Sequence, residues 1–175
     1  MTIKQTQILE AALHLFSEEG YHATSTSKVA KHANVSEGLI FRHFQNKEGL
    51  LSALLEEGKQ CLKTVFVPIV NEEDPKQVIQ KTLDLPFEIT EIAHGYWKLL
   101  FKLKVEQRYD DRELMKPLDQ ALTKAFMKLR FRSPELETQN LILTLDGITM
   151  SILNETLNNE SEFKQFLMNK YHIEI

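Results

Sequence analysis

Residues 20–51 read GYHATSTSKVAKHANVSEGLIFRHFQNKEGLL, and they contain two short helical patterns separated by a tight turn. Four consecutive hydroxyl residues, 24–27, offer N-caps for the first pattern, whose apolar residues recur at helical spacing. Asn34-Val35 marks the turn, and Ser36 is the N-cap of the second helix. Two short helices joined by a turn of three or four residues are typical of a helix-turn-helix.

Longer helices are predicted on both sides of this motif. An amphipathic pattern over residues 4–19 predicts helix 1, which Gly20 ends at the C′ position. Asn46 caps a fourth helix, in which apolar residues recur at three- and four-residue spacing over residues 47–70. The chain is therefore expected to begin with a small three-helix head, from which a long helix 4 leads onward.

The glycine and proline content of the rest of the chain is typical of an all-α protein. Only 6 glycines and 5 prolines occur among 175 residues, and no segment shows the sustained alternation of a half-buried strand. Pro86 is expected to kink or break helix 5 near Leu85, and Ser133-Pro134 is expected to open helix 8. About nine helices are predicted in all, the last five at about residues 76–92, 95–107, 111–130, 134–157 and 161–171.

The sequence also excludes several classes of enzyme. Its glycines are never closer than nine residues apart, so neither a Walker loop nor a dinucleotide-binding fingerprint can form. No nucleophile elbow and no His-Glu-x-x-His zinc motif occurs. Glu91-x-x-His94 has the spacing of a di-iron bundle, but such a centre needs a second copy and further carboxylates. We therefore expect that the protein is not an enzyme and that it binds neither a metal ion nor a cofactor.

Charge is unevenly distributed along the chain. The net charge is −4, yet between Thr26 and Lys47 four basic residues accompany only one acidic residue, Glu37. A basic segment in an acidic chain is typical of a small nucleic-acid-binding head on a larger body. The single cysteine, Cys61, excludes an internal disulfide, and neither a run of 18 apolar residues nor a signal-peptide pattern occurs. A cytoplasmic protein without a membrane partner is predicted.

The quoted stretch resembles the DNA-binding head of the tetracycline-repressor (TetR) family. That family's pattern reads Gly-aromatic-x-x-Thr-Thr/Ser-x-x-x-Ile/Val-Ala-x-x-Ala-Gly-Val-Ser-x-Gly-x-aliphatic-Tyr/Phe-x-His/Tyr-Phe-x-x-Lys-Glu-x-Leu, and nearly every fixed point is present within about the first 55 residues. Asn34 replaces the turn glycine, which Asn tolerates because it accepts left-handed backbone angles. Phe41 replaces the commoner tyrosine and lacks its hydroxyl group.

The resemblance implies a DNA-binding domain at residues 1–48 and a helical ligand-binding and dimerisation domain at residues 49–175. It implies a ligand-responsive transcriptional regulator, in most such cases a repressor that binds a palindromic double-stranded DNA operator as a homodimer. A small apolar or aromatic effector would release it from the operator. Two alternatives stay open: a helical protein-interaction module, and a metal-binding helical bundle without DNA binding. The basic, serine-capped head argues against both.

The second helix of the motif is the expected recognition helix. Arg42 suits bidentate contact with guanine, with a phosphate contact as the alternative. Phe41 suits contact with a thymine methyl group, with core packing as the alternative. Gly38 would let the helix approach the bases closely. The residues expected to contact DNA are Ser25, Thr26, Ser27, Lys28, Ser36, Glu37, Gly38, Leu39, Phe41, Arg42, His43 and Lys47.

The body offers an effector pocket and a dimer interface. Aromatic residues can line the pocket, with ordinary core packing as the alternative for each: Phe66, Phe87, Trp97, Phe101 and Phe126. Helix 8 has two apolar stripes, so one can face its own core and the other a second subunit, unless the helix is buried on all sides. Either stripe fits the interface, and the one assigned to it is Leu141, Leu145, Ile148 and Ile152.

Overall fold

The computed structural model describes residues 1–88, 90–106 and 109–172, with positions 91 and 92 described for their backbone only. Its described residues contain no strand, and the all-α prediction is confirmed. Nine helices occur in this part of the chain: α1 Ile3–Glu19, α2 Thr26–His32, α3 Glu37–Phe44, α4 Lys47–Val70, α5 Pro75–Glu88, α6 Glu91–Val105, α7 Arg112–Lys128, α8 Pro134–Leu153 and α9 Glu160–Lys170.

The chain divides into two compact units. Unit 1 contains residues 1–62 and 91–110, and unit 2 contains residues 63–90 and 111–175. Helix α4 contributes its first part to unit 1 and its last turns to unit 2. This division is one of packing, whereas the predicted boundary between residues 48 and 49 concerns function and stays a prediction. The sequence did not predict that α6 packs with the head helices in unit 1.

The core of unit 1 joins the three head helices to α4 and α6. Its fully buried members include Ile8 and Phe16 of α1, Ile40 of α3 and Leu54 of α4. Leu99 and Leu103 of α6 belong to the same cluster. Burying large apolar side chains of this kind contributes about 1.5–3 kcal/mol each. The head is therefore stabilised partly by a helix that lies 40 residues further along the sequence than the motif itself.

Helix α6 lies against α1 through a small residue and an ion pair. A Cβ atom at Gly95 would come within 3.3 Å of Leu13, so a glycine lets the two helices approach closely. Lys98 Nζ contacts Glu18 Oε1 at 2.7 Å, and Lys102 Nζ donates to the Glu18 backbone carbonyl at 2.9 Å. The hydrogen bond from Lys98 lowers the pKa of Glu18. The prediction that α6 begins at Gly95 was wrong, because the helix begins at Glu91. Gly95 lies inside the helix and allows close packing against α1.

Unit 2 packs α5 against α7, α8 and α9. Phe126 of α7 is fully buried, and its ring lies 5.0 Å from that of Phe131 and 5.8 Å from that of Tyr171. Lys164 of α9 forms ion pairs with Asp84 at 2.7 Å and with Glu88 at 3.3 Å on α5. The aromatic cluster and these ion pairs attach the C-terminal helix to the rest of the unit.

Two helix ends differ from their predicted positions, and a third cannot be compared. Helix α5 continues through Pro86 to Glu88, so the expected break near Leu85 falls a few residues later. Helix α8 ends at Leu153, four residues before the predicted end, because Glu155 adopts a left-handed backbone with φ 55°. The predicted end of helix 6 at Gln107 lies outside the described residues.

Candidate nucleic-acid interface

The connection between α1 and α2 is held by backbone geometry and by a buried hydroxyl group. Gly20 ends α1 with φ 92°, a conformation that favours glycine. Thr24 is 1% exposed, and its hydroxyl donates to the Gly20 carbonyl at 3.0 Å and the Leu15 carbonyl at 3.3 Å. This bond fixes the start of α2 against the end of α1. The predicted role of Gly20 as a helix stop is confirmed.

The start of α2 carries three hydroxyl groups, which take different roles. Ser25 is the N-cap, and its Oγ accepts a hydrogen bond from the Lys28 backbone N–H at 3.1 Å. Thr26 Oγ1 donates to Glu37 Oε1 at 2.7 Å, so its single proton is engaged with α3. Ser27 is exposed. The Lys28 ammonium forms an ion pair with Glu19. A DNA phosphate that binds Lys28 would have to replace the Glu19 carboxylate or share the ammonium with it.

The turn between α2 and α3 is as predicted. Asn34 has φ 51°, in the left-handed region that Asn tolerates better than most residues. Val35 then donates its backbone N–H to the Ala30 carbonyl at 3.0 Å, which closes the turn. Ser36 occupies the N-cap position of α3, but its side chain makes no capping hydrogen bond.

Helix α3 has one buried face and one exposed face. Ile40 is fully buried and Phe44 is 9% exposed, so α3 contributes these two residues to the core of the head. Phe41 is 45% exposed, so the core-packing alternative for its ring does not hold in this structure. The remaining predicted contact residues of α3 divide into exposed Gly38 and Arg42 and half-buried Glu37, Leu39 and His43.

Gly38 lies on the exposed face without any packing requirement of its own. A Cβ atom placed there would meet no protein atom within 4 Å. The protein's own core therefore does not explain why a glycine occupies the second position of a helix, where it weakens the helix. Close approach by a partner such as DNA would explain it.

Lys47 at the start of α4 lies against the aromatic residues of the α1–α2 connection. Its ammonium is 4.3 Å from the centroid of the Tyr21 ring and 5.9 Å from that of Phe16. Its Nζ also donates to the His22 carbonyl at 3.5 Å. A cation held over ring faces is positioned electrostatically. The predicted phosphate contact of Lys47 would start from this anchored position.

The link between α3 and α4 is very short. Gln45 has φ 69° and ψ −51°, and the Asn46 N–H donates to the Phe44 carbonyl at 2.8 Å, which together define a γ-turn. Asn46 Oδ1 accepts from the Gly49 N–H at 2.7 Å, so the predicted cap of α4 is confirmed. A Cβ atom at Gly49 would lie 1.9 Å from the Phe44 carbonyl oxygen. Only glycine fits where α4 abuts the end of α3.

Comparison with known proteins agrees with this geometry. The model of the "Bacterial regulatory proteins, tetR family" matches residues 8–54, which run from α1 into α4. Residues 8–54 therefore match the N-terminal domain of the TetR family. It is 53% identical over 51 residues to the HTH-type transcriptional regulator YvkB and 29% identical over 120 residues to the fatty acid metabolism regulator protein, both of Bacillus subtilis. These alignments cover 29% and 68% of this chain, and they span 27% and 60% of the lengths of those relatives.

A solved structure extends the similarity of fold to almost the whole chain. It is the transcriptional regulator FadR from Bacillus subtilis in complex with stearoyl-CoA. The TM-score is 0.64 at 23% sequence identity, over 94% of this chain and 95% of that one. At this identity the likeness concerns the fold.

The aromatic residues predicted to line the effector pocket occur in both units of the chain. Trp97 and Phe101 are half-buried in unit 1, whereas Phe66, Phe87 and Phe126 belong to unit 2. Core packing accounts for Phe126, and its role as a ligand contact, like that of the other four, stays a prediction. A pocket of about 40 Å³ in unit 2 contains none of the five. It has room for water but not for a ligand of the usual size.

The two stripes of α8 have opposite environments. Leu141, Leu145 and Ile148 are at most 7% exposed within the single chain, so the stripe predicted for the dimer interface faces the core of unit 2 instead, with Ile152 half-buried beside it. The opposite face exposes 65% of Leu136 and 63% of Leu143. The assigned stripe therefore packs within its own chain, and a dimer interface on α8 stays a prediction.

Within residues 1–88, 90–106 and 109–172, no group of three or more His, Cys, Asp or Glu side chains is placed to hold a metal ion. The Glu91 side chain of the Glu-x-x-His pattern lies outside the described residues. No described helix is both long and apolar enough to cross a bilayer.

Proposed function

We propose that this chain is a dimeric transcriptional regulator that binds a palindromic operator through α3 and leaves it when a small apolar effector binds. The observation that carries the proposal is the exposed face of α3. There Gly38, Phe41 and Arg42 lie outward above the buried Ile40 and Phe44. A glycine, an aromatic ring and a guanidinium on one helical face suit close approach, thymine contact and guanine or phosphate contact.

DNA binding can be tested directly with the full chain. Duplexes are selected from a random-sequence pool, and the affinity of the selected duplex is measured by fluorescence anisotropy at several salt concentrations. The proposal predicts a selected two-fold symmetric sequence and an affinity that falls with salt, because neutralised phosphates release counterions. Binding that is equally weak for selected and unselected duplexes would contradict it and would favour a protein-interaction module.

The effector is proposed to be an acyl compound. FadR from Bacillus subtilis has been solved with stearoyl-CoA, and the fatty acid metabolism regulator protein is among the relatives. The predicted pocket residues are aromatic and therefore suit an apolar ligand. Trp97 is the chain's single tryptophan, so its fluorescence gives a ready signal for binding near α6.

The thermodynamic linkage between effector binding and DNA binding provides a test of whether the effector controls DNA binding. An effector that favours the conformation without DNA must bind less tightly when the operator is present. Stearoyl-CoA is titrated into the protein with and without the selected duplex, and coenzyme A alone is the control. A lower affinity in the presence of DNA is expected. Equal affinities would mean that the body does not signal, and no binding at all would exclude the acyl class as effector.

The homodimer is proposed to form through the outward face of α8 together with α9. Leu136 and Leu143 on α8 and Phe166 on α9 each expose 60% or more of their surface, and a second subunit that covered them would remove this apolar surface from water. Gly147 lies on the same face of α8 as Leu143, and a Cβ atom there would meet nothing within 4 Å. Side chains can therefore be added at position 147 without disturbing the single chain.

Gly147→Glu tests this interface better than a substitution in the core. Ile148→Asp would place a charge at a 5%-exposed position and unfold the chain, so it cannot separate dissociation from unfolding. Gly147→Glu should leave the helix content unchanged and reduce the light-scattering mass toward the 20.3 kDa of one chain. A wild-type protein that scatters as one chain at micromolar concentration would refute the dimer.

A further inference from the structure

Glu37 is an acidic residue in a segment that is otherwise basic. It is the only carboxylate between Thr26 and Asn46, and it occupies the first position of α3. A carboxylate on a surface that approaches DNA is repelled by phosphates, so its presence there needs a compensating partner. At the start of a helix the backbone dipole stabilises the negative charge, but this accounts for a carboxylate in the free protein only.

The carboxylate is held in one orientation by the neighbouring helix. Thr26 Oγ1 donates to Glu37 Oε1 at 2.7 Å, and Glu37 is half-buried beside α2. One oxygen is thereby engaged, while a carboxylate has about four lone-pair sites and can accept further hydrogen bonds through the other oxygen. A side chain that is already ordered loses little conformational entropy when a second donor binds it.

The chemistry of base edges limits what that second donor can be. Guanine offers the acceptors N7 and O6 to the major groove, and thymine offers the acceptor O4, so both repel a carboxylate. Cytosine offers the N4 amino group and no competing acceptor in the major groove, and it is the usual partner of Glu. Phe41, four residues further along α3, lies on the same face of the helix as Glu37.

We propose that Glu37, oriented by Thr26, selects a cytosine in each half-site of the operator. This inference rests on the proposed DNA binding by α3. It assigns Thr26 a positioning role in place of the direct DNA contact predicted from the sequence, because its one hydroxyl proton is donated to Glu37. Removal of the negative charge should then have two effects of opposite sign: loss of discrimination at one base pair and tighter binding to unrelated DNA.

The test compares Glu37→Gln and Thr26→Val with the wild type. Each protein selects from a random-sequence pool, and its affinity is measured for the wild-type operator and for operators with each other base at the selected cytosine. Replacing that cytosine should weaken wild-type binding by about 5- to 100-fold. Glu37→Gln should lose this preference and shift it toward adenine, because Gln pairs with adenine N6 and N7. It should also bind non-specific DNA more tightly.

Thr26→Val keeps the shape of the side chain and removes the donor. It should retain the cytosine preference while reducing the discrimination several-fold, and thermal unfolding shows whether the head still folds. If Glu37→Gln selects the same sequence as the wild type, or loses affinity for all sequences equally, the proposal for Glu37 is wrong while DNA binding stands. If the wild type selects no sequence, the proposed function itself fails.

Discussion

Gly38→Ala is expected to stabilise the protein and to weaken its binding to DNA. A Cβ atom at position 38 would meet no protein atom within 4 Å, so the methyl group creates no clash in the free chain. Replacing glycine by alanine within a helix contributes about 0.5–1 kcal/mol of stability. In a chain of this size that corresponds to a rise in Tm of about 1–4 °C.

The same methyl group should interfere with DNA if α3 lies in the major groove. An extra methyl in a well-packed contact costs about 1–3 kcal/mol, which corresponds to a loss of affinity of about 5- to 150-fold. Tm is measured by circular dichroism, and affinity by anisotropy with the selected operator at one fixed salt concentration. Lys31→Ala is the control, because Lys31 is exposed on α2 and lies outside the predicted contact set.

Two results would refute this reasoning. A variant that binds the operator as tightly as the wild type would show that position 38 does not approach DNA closely. A variant with a lower Tm would show that glycine is needed by the fold itself. Reduced affinity with raised stability is the combination that only a groove-facing glycine explains.

Three further perturbations have expected outcomes. Arg42→Ala should cost about 1–3 kcal/mol in specific binding and relax the sequence preference. Lys47→Ala should instead weaken binding to all sequences and flatten the salt dependence of the affinity by about one unit of slope. If the two variants behave identically in the anisotropy assay, Arg42 is a phosphate contact. Gln45→Gly should raise the free energy of unfolding by about 1 kcal/mol, because φ 69° with ψ −51° strains any residue except glycine, and a lower Tm would contradict this. The ion pair with Lys81 lowers the pKa of Glu72 from its ordinary 4.5 to about 2. Its stabilising effect is therefore present above about pH 4.5 and lost as the pH falls toward 2, so the Tm difference between wild type and Glu72→Gln should shrink over that range and should not grow.

The head could be predicted closely from the sequence because its signals are local. The N-cap of α2 and the left-handed Asn34 each depend on a few neighbouring residues, and both are confirmed. The burial of Ile40 and Phe44 likewise follows from their spacing of four residues. The exposure of Phe41 and Arg42 follows from the same spacing, since residues between two buried positions on a short helix face outward.

The errors concern features that depend on distant parts of the chain. Gly95 reads as a helix boundary in isolation, and only the approach of Leu13 shows why a glycine belongs inside α6. The two stripes of α8 look alike in sequence, because hydrophobicity does not say whether a partner lies in the same chain. The bond between Thr26 and Glu37 joins two helices, and no periodicity in the sequence reports it.

The γ-turn at Gln45 makes the connection between α3 and α4 short and rigid. Two residues separate the helices, and the missing side chain of Gly49 lets the start of α4 touch the end of α3. Any tilt of α4 must then be shared by the recognition helix instead of being absorbed by a flexible loop. A tilt of about 5° would displace the far end of an eight-residue helix by about 1 Å. That displacement is enough to break hydrogen bonds to bases, which tolerate only about 0.5 Å. If the chain has the proposed function, an effector needs to turn α4 only slightly to end sequence recognition, and the head need not unfold to release DNA.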